Sequence, residues 1–364
     1  MKKYILVFLS LILSSSFAIF ALDVNQNQSV NAYRNALVCY DKMDYGTALK
    51  YAEDAILYRK LFIEKQIETL KSSLSAKRVQ VAGDNINSVL SVLKDRNERA
   101  SIAVIESYTK IKGIEYFDNS IQKLLDYMNS LIVFPEAQKL IADVYKLEGE
   151  YQFAEEYYQL ALKNADVLDI PDEKYDILYM LAEISRLEND FSTMETRLLN
   201  ILIDDKSYRD KALNTAMIET IKANKKGSME KFFNLYRANS YLSIDAYNQL
   251  AEYYYKAGDK EKALNFAALS AITSFSKVNE ILISRNSEYS YENLSKFFQE
   301  AAFYDDIVEW GNENKAWSSF NILAKYTKEE GYNNFARELL VVLVQFSPEK
   351  YWQKDAVLML ETLD

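Results

Sequence analysis

Histidine is absent from this chain of 364 residues, and cysteine occurs once. Without histidine there is no Ser-His or Cys-His nucleophile pair, no imidazole metal ligand and no histidine proton switch near neutral pH. Zinc sites nearly always need histidine or cysteine ligands, which excludes zinc. Because Cys39 is the one cysteine, an intramolecular disulfide is ruled out. We expect its side chain to act as a small buried hydrophobe, and an intermolecular disulfide is the alternative.

Glycine and proline are also scarce, with 8 and 3 residues. Nearly all of them stand where a helix is expected to break, and no alternating β-branched run flanked by turn residues is present. These positions are Gly113, Pro135, Gly149, Pro171, Gly227, Gly258, Gly311, Gly331 and Pro348. The sequence therefore predicts an all-α protein.

No catalytic or phosphate-binding motif accompanies this composition. The chain has 53 acidic residues, but carboxylates on amphipathic helices usually form solvated faces, and no pair of them marks an acid–base site. A glycine-rich phosphate loop is missing as well. We therefore expect a non-enzymatic protein that needs no cofactor and no metal.

What the chain does contain is a spaced pattern that occurs twice. The copies read Ala142-x2-Tyr145-x3-Gly149-x-Tyr151-x2-Ala154-x3-Tyr158-x2-Ala161 and Ala251-x2-Tyr254-x3-Gly258-x-Lys260-x2-Ala263-x3-Ala267-x2-Ser270. Small residues at these spacings let two short antiparallel helices approach closely, and the glycine turns the chain between them. The pattern resembles the tetratricopeptide repeat (TPR) family.

Further copies fall in the same frame. Their second-helix positions are separated by 40, 35, 34 and 73 residues, at Ala154, Met194, Met229, Ala263 and Ala336. Asn189 replaces the turn glycine in one copy, and another copy, with Ala36 and Ala48, lies near the N-terminus. We interpret 287–315 as a degenerate helix pair and 351–364 as a capping helix. A helical array of another repeat family is the alternative.

The resemblance implies a right-handed α-solenoid of antiparallel helix pairs, whose first helices line a concave groove for a peptide or a partner helix. Helical phase places the groove candidates opposite the small residues, at Lys139, Asp143, Lys146, Tyr179, Glu183, Arg186, Asn248, Glu252 and Tyr255. In cochaperone members of the family, Lys and Asn at the first two groove places of a repeat bind a carboxylate. Because the second place here holds an acid, we expect a ligand segment of basic and apolar character instead.

The N-terminus has the plan of a secretory signal peptide. Lys2 and Lys3 precede an apolar run over 4–13 and small residues up to Ala21, after which we expect cleavage, with Ala18 as the alternative site. An uncleaved membrane anchor is the other interpretation. No cysteine follows the run, so a lipoprotein is not expected. These features predict export to a bacterial periplasm.

Charge is unevenly distributed along the chain. Removal of the signal peptide changes the net charge from −10 to −12, and this negative charge argues against a nucleic-acid partner. The span 56–112 differs from the rest of the chain, because it has 11 basic and 6 acidic residues. Apolar spacing predicts two long antiparallel helices there, broken at Gly83 with Asp84 as N-cap. This basic hairpin, with Lys65, Lys71, Lys77 and Arg78, is interpreted as a docking arm for an acidic protein or an anionic membrane; two merely solvated helices are the alternative.

The predicted organisation is a signal peptide (1–21), an N-terminal helical region with the basic hairpin (22–131), a core TPR array (132–275) and degenerate C-terminal units with a cap (276–364). Exported TPR proteins often serve envelope assemblies, including outer-membrane, cell-wall and periplasmic flagellar motor complexes. We therefore expect a scaffold or adaptor that binds a protein or peptide partner. A substrate-presenting subunit of an envelope enzyme or transporter, or a membrane-apposed structural component, is the alternative.

Overall fold

The computed structural model describes residues 24–76, 85–237 and 241–363, and these residues form helices without any β-strand. The predicted signal peptide, Lys77, Arg78, Gly83 and Asp84 lie outside the described residues. The α-helices are α1 (Val24–Asp41), α2 (Tyr45–Ala76), α3 (Ile86–Asp95), α4 (Arg99–Lys112), α5 (Ile121–Ser130), α6 (Pro135–Glu148), α7 (Tyr151–Lys163), α8 (Glu173–Leu187), α9 (Phe191–Ile201), α10 (Lys206–Arg209), α11 (Lys211–Ala223), α12 (Ser228–Phe233), α13 (Ile244–Lys256), α14 (Lys260–Arg285), α15 (Leu294–Phe303), α16 (Asp305–Glu313), α17 (Ala316–Glu329), α18 (Asn333–Phe346) and α19 (Lys350–Glu361).

The chain divides into two compact units, and the boundary between them along the sequence lies between Ile177 and Leu178. Unit 1 contains α1 to α7 and the first turns of α8, and unit 2 contains the rest. The boundary expected at 131 falls between α5 and α6, whereas α14 continues without a break through the boundary expected at 275. The proposed functional divisions of the chain remain predictions.

Tight turns join the helices that the repeat pattern pairs. Gly149, Gly258 and Gly331 have φ of 82°, 82° and 78°, and Asn189 has φ of 61°. This left-handed conformation suits glycine, and asparagine tolerates it better than most residues, so the chain reverses within two or three residues. The expected TPR-like helix pairs α6/α7, α8/α9, α13/α14 and α17/α18 are confirmed.

Small residues lie at the points where paired helices touch. Ala142, Ala154 and Ala161 are fully buried between α6 and α7, and Ala251, Ala263 and Ala267 are buried between α13 and α14. A larger side chain at these points would have to displace a neighbouring helix, because protein interiors are close-packed.

We expect Ala154→Leu or Ala263→Leu to lower the free energy of unfolding by on the order of 1 to 3 kcal/mol through overpacking. Thermal melting of each variant measures the loss. Ala165→Leu, at a half-buried position outside the helix contact, is the control. An unchanged melting temperature at both sites would show that the repeat register is wrong.

The N-terminal pair α1/α2 follows the same plan with one departure. Ala36, Ala48 and Ala52 are fully buried, as the pattern predicts. The departure is the turn residue, which is Met43 in place of glycine or asparagine. It adopts φ of 62° and is 76% exposed. Cys39 is half-buried, so it is less enclosed than we expected.

The predicted basic hairpin of two long helices is wrong. Its first helix is the C-terminal part of α2, a 32-residue helix that also supplies the second helix of the N-terminal pair. Its second helix is divided into α3 and α4, because Asn97 turns left-handed with φ of 57°. The N-cap of α3 is Asn85, whose side chain accepts a 2.7 Å hydrogen bond from the backbone N–H of Ser88.

The basic span belongs to a helical bundle rather than to a free arm. Buried side chains from α2, α3, α4 and α5 share one core that includes Leu70, Leu74, Ile86, Leu93, Ile105, Ile121 and Leu124. Leu57 and Leu61, two of the apolar residues at helical spacing in the span 56–112, are half-exposed. Arg59 donates to the carbonyl of Leu131 and stacks over the ring of Phe134, 4.4 Å from its centroid.

Helix α14 forms the centre of unit 2. Among the described residues it is the one helix long and apolar enough to cross a membrane, but 78% of that stretch is buried inside the protein. It packs against α13 and α17, and its Phe275 contacts rings from α12 and α15. We therefore interpret it as the core helix of unit 2.

Long-range caps hold the weakest predicted repeat, α11/α12, in place. Its second helix has only six residues, and the carboxylate of Glu338 on α18 accepts from the backbone N–H groups of Gly227 and Met229 at the start of that helix. Asn224 in turn accepts from the N–H of Asn334 at the start of α18. Such caps satisfy donors that a helix start leaves unpaired. The repeat pattern at these residues is confirmed with a shortened second helix.

Two C-terminal expectations need correction. Gly311 does not end a helix; it lies within α16, where the indole of Trp317 packs against its Cα. In the capping helix α19, Ala356 is buried, whereas Leu358 is 64% exposed, although an apolar residue of a capping helix is expected to pack against the array. The expected helix pair in 287–315 and the capping helix themselves are confirmed.

Candidate interaction surface

Two of the predicted groove residues, Tyr179 and Asn248, bond to another part of unit 2 instead of facing an open groove. The hydroxyl of Tyr179 donates to the carbonyl of Leu242 at 2.7 Å and accepts from the N–H of Ala246 at 3.0 Å. The buried amide of Asn248 donates to Ser319 at 3.2 Å. Each side chain thus connects two first helices of unit 2, α8 to the start of α13 and α13 to the start of α17.

The same position recurs once more in unit 2. Asn321 on α17 donates to the carbonyl of Trp352 at 2.9 Å and to Asp355 at 3.1 Å, both on α19. Helical phase identifies the face of a first helix but does not tell whether the next repeat covers it. In unit 2 this position therefore bonds one first helix to a helix of a later repeat or to the capping helix.

The positions one turn further along lie on an open surface of unit 2. Arg186 donates two hydrogen bonds to Glu183, at 2.8 and 2.6 Å, and Glu252 pairs with Lys256 at 2.6 Å. The hydrogen bonds and charge of Glu183, together with the more distant charge of Glu252, raise the pKa of Arg186. The predicted residues of α8 and α13 therefore lie close enough to act on one another.

Helix α17 extends this surface with residues that the sequence analysis missed. Tyr255 stacks on Tyr326 with ring centroids 4.7 Å apart, and the ammonium of Lys325 lies 5.2 Å from the centroid of the Tyr255 ring. In the other repeats one groove candidate directly follows the small residue of the first helix. The same rule applied to Ala324 gives Lys325, so the sequence contained the pattern that identifies this residue. We call Glu183, Arg186, Glu252, Tyr255 and Lys325 the first-helix surface.

In unit 1 the predicted residues Lys139 and Asp143 lie in a group of carboxylates. Lys139 donates to Asp143 at 2.9 Å, and the hydroxyl of Tyr158 on α7 donates to the same carboxylate. Lys146, one turn further along α6, is half-buried. Carboxylates from the start of α6, from the segment before α8 and from the first turn of α8 lie close enough to act on Lys139 or on one another. These carboxylates together are called the acidic cleft, which consists of Glu136, Asp143, Asp169, Glu173 and Asp176.

Burial and repulsion by neighbouring carboxylates raise the pKa of Glu136, Glu173 and Asp176. Burial, then the charge of Asp169, raises the pKa of Glu136. Burial together with the charges of Glu136, Asp176 and Asp169 raises the pKa of Glu173 to about 7, against the attraction of Lys139. Burial opposes the charge on Lys139, but attraction by Asp143, Asp176 and Glu173 outweighs it and raises the pKa of the ammonium. One lysine does not balance this group.

Glu173→Gln is expected to stabilise the protein at about pH 8 and to have little effect at about pH 5. A carboxyl whose folded pKa is raised to about 7 contributes stability below its unfolded pKa and loses it as the pH rises through 7. Glu173 is half-buried, so solvent screening limits the gain to on the order of 1 kcal/mol. The groups that face it are Glu136, Lys139, Asp169, Asp176 and Tyr33.

Chemical denaturation across this pH range measures the effect. The matched control is Glu252→Gln, which removes an exposed carboxylate paired with Lys256. If the unfolding free energies of Glu173→Gln and of the parent chain stayed parallel at all pH values, the repulsion in the acidic cleft would be negligible.

These helix pairs and their contacts define an all-helical, TPR-like protein, a class that is typically non-catalytic and serves as a scaffold for protein–protein interactions. No protein-family model matches the chain. The chain is 30% identical over 320 residues to an uncharacterized protein of Treponema pallidum (strain Nichols), and the match covers 86% of this chain and 84% of that protein. It belongs to the same family as that protein.

Among solved structures, the crystal structure of the P58(IPK) TPR domain aligns with 92% of this chain and 89% of its own, at 12% identity and a TM-score of 0.19. The assignment of TPR-like pairs rests on the turns, the buried alanines and the packing of the helices.

Proposed function

We propose that this chain is an exported, non-enzymatic adaptor of the bacterial cell envelope that binds a partner protein on the first-helix surface. The observation that carries the proposal is the row of charged and aromatic side chains across α8, α13 and α17. Rigid helices hold these side chains, and aromatic residues with arginine are frequent anchors of protein interfaces. Assembly of an outer-membrane, cell-wall or periplasmic flagellar motor complex is the process that we expect it to serve.

Export is supported by the sequence at 1–21, where a basic start, an apolar run and small residues occur in order. N-terminal sequencing of the protein from cells tests it, since cleavage after Ala21 leaves Leu22 as the first residue. A chain that keeps Met1 and stays in the cytoplasm would contradict export.

In-cell photocrosslinking followed by mass spectrometry tests the adaptor proposal. Probes belong at Arg186, Glu252 and Lys325, and not at Tyr179, whose hydroxyl makes two bonds within unit 2. Asn200, an exposed residue on the second helix α9, is the control position. One dominant envelope protein captured by the three probes and missed by the control would support the proposal, and equal capture at all four positions would contradict it.

A membrane-apposed structural component is the second candidate, because exposed cations occur on the bundle of unit 1. Lys65 and Lys71 on α2 are exposed, and the span 56–112 has an excess of basic residues in an otherwise acidic chain. Such a surface favours an acidic protein or anionic headgroups, and salt would screen the attraction.

Reversing the charges of the four predicted hairpin residues should weaken a salt-sensitive association without unfolding the chain. The variant carries Lys65→Glu, Lys71→Glu, Lys77→Glu and Arg78→Glu, and cosedimentation with vesicles rich in phosphatidylglycerol measures binding. The control reverses four exposed lysines elsewhere, Lys163, Lys211, Lys231 and Lys354. Binding that responds to neither salt nor these changes would eliminate this candidate.

A substrate-presenting subunit would need an enclosed site for a solute. Unit 2 has a depression of about 510 Å³ between α12 and α18, lined in part by Met229, Arg337 and Val341. It is open and shallow, so it gives this alternative no support.

A further inference from the structure

The acidic cleft of unit 1 has a charge that its own residues do not neutralise. The charges of Asp143, Asp176 and Glu173 act on Lys139, and those of Glu136 and Asp169 act on Glu173. Arg59 adds one more cation, which acts on Glu136. Lys139 is already bonded to Asp143. The cleft therefore keeps a surplus of negative charge toward the first turn of α8.

Glu136 adds a second, independent observation. It is only 6% exposed, and its Oε1 accepts a 2.7 Å hydrogen bond from the backbone N–H of Asp169. Its Oε2 is buried and has no hydrogen-bond partner. Buried polar atoms of native proteins usually have a partner, so this oxygen marks a place where a donor is missing.

The remaining carboxylates connect Glu136 to solvent. Asp169 and Asp176 are exposed, and Glu173 between them is half-buried. The exposed rim acids are therefore the part of the cleft that a cation from solvent can reach directly. Preorganised charges of this kind bind an opposite charge without rearranging.

We infer that the acidic cleft binds the lysine or arginine side chain of a basic, extended segment of a partner protein. A metal ion is the weaker occupant, since among the residues that the structure describes no group of carboxylates is arranged to hold one. The guanidinium or ammonium group would supply several donors at once, which a cluster of acids and an unpaired oxygen require. The inference rests on the proposed adaptor function and names the chemistry of its partner.

The experiment uses the full chain and a library of short capped peptides with random residues around one fixed position. That position holds arginine, lysine or the neutral isostere citrulline. We expect the parent chain to enrich arginine and lysine peptides about tenfold over citrulline peptides, a difference of about 1.4 kcal/mol. No preference for the cationic peptides would overturn the inference.

The variant Glu173→Gln/Asp176→Asn removes two rim charges and should abolish the preference. The matched control Glu219→Gln/Glu309→Gln removes two exposed carboxylates of unit 2 that lie outside the first-helix surface, and it should keep the preference. A preference that survives in the first variant would place the cation elsewhere and overturn the assignment to the cleft. Circular dichroism melting of both variants confirms that they are folded.

The pH profile is a further readout. Affinity for the best cationic peptide should fall as the pH drops from about 8 to about 6, because Glu173, which faces Glu136, Lys139, Asp169, Asp176 and Tyr33, takes up a proton near 7. The loss should be absent in Glu173→Gln. An equal loss in both chains would count against the cleft.

Two results separate this inference from the adaptor proposal. If the in-cell probes of unit 2 capture one partner while the library shows no cation preference, the cleft inference fails and the adaptor proposal stands. Self-association of the full chain that disappears in Glu173→Gln/Asp176→Asn would overturn the partner assignment, since the occupant would then be a second copy of the chain.

Discussion

Phe320→Ala is expected to lower the free energy of unfolding by about 4 kcal/mol, within the usual range for deleting a buried phenylalanine side chain. Phe320 is fully buried in unit 2, and its ring contacts four others. They are Phe233, Phe297, Phe298 and Trp317. Because the four rings come from α12, α15 and α17, no single helix can move to fill the space that alanine leaves.

Urea denaturation of the parent chain and of Phe320→Ala measures the loss. Phe303→Ala is the control, because Phe303 is 77% exposed and its one ring contact in the described chain is its neighbour Tyr304. The control should change stability by less than about 0.5 kcal/mol. If both variants lost the same stability, the aromatic cluster would not be the centre of unit 2.

Gly311→Val is expected to cost about 3 kcal/mol through overpacking. A Cβ atom at Gly311 would lie 2.2 Å from Cε2 of Trp317, far inside contact distance. The indole cannot swing away easily, since it is 1% exposed and its Nε1 donates to the carbonyl of Val308 at 3.0 Å. The valine must therefore push α16 from α17.

Gly46→Val is the matched control, because Gly46 is also helical but is exposed, with no atom within 4 Å of its added Cβ. Surface substitutions of this kind usually change stability by less than about 0.5 kcal/mol. Thermal melting compares the two variants. A melting temperature of Gly311→Val as high as that of Gly46→Val would show that Trp317 does not pack on the backbone of α16.

Gly311 also shows why sequence reasoning succeeded at some glycines and failed at others. Gly149, Gly258 and Gly331 end helices at positions that the repeat spacing fixes, so their turns were predictable. Gly311 is small because a side chain six residues later packs against it. The requirement for glycine there comes from tertiary packing. A rule that treats every glycine as a helix break does not detect such packing.

The basic span failed for a different reason. The apolar residues of α3 and α4 keep helical spacing across the turn, so periodicity alone joined them into one helix. The break is made by Asn97 in the left-handed region, a role that asparagine fills more readily than most residues. The sequence contained that asparagine, but no repeat spacing drew attention to it.

The surface was predictable in part. Glu183, Arg186, Glu252 and Tyr255 lie where helical phase placed them. Tyr179 and Asn248 share that face but bond to a first helix of a later repeat, a contact that depends on how the repeats stack. The acidic cleft was missed because Asp169 and Glu136 are distant in sequence and meet through one backbone hydrogen bond.

Helix α2 belongs both to the N-terminal repeat and to the bundle, and this sharing limits how the protein can change in length. Each residue added to an α-helix rotates everything beyond it by about 100° and advances it by about 1.5 Å. One inserted residue between Ala55 and Leu70 would turn the apolar face of the bundle segment toward solvent while leaving the repeat untouched. Relatives should therefore tolerate insertions in this helix mainly as whole turns, of about seven residues or multiples of it.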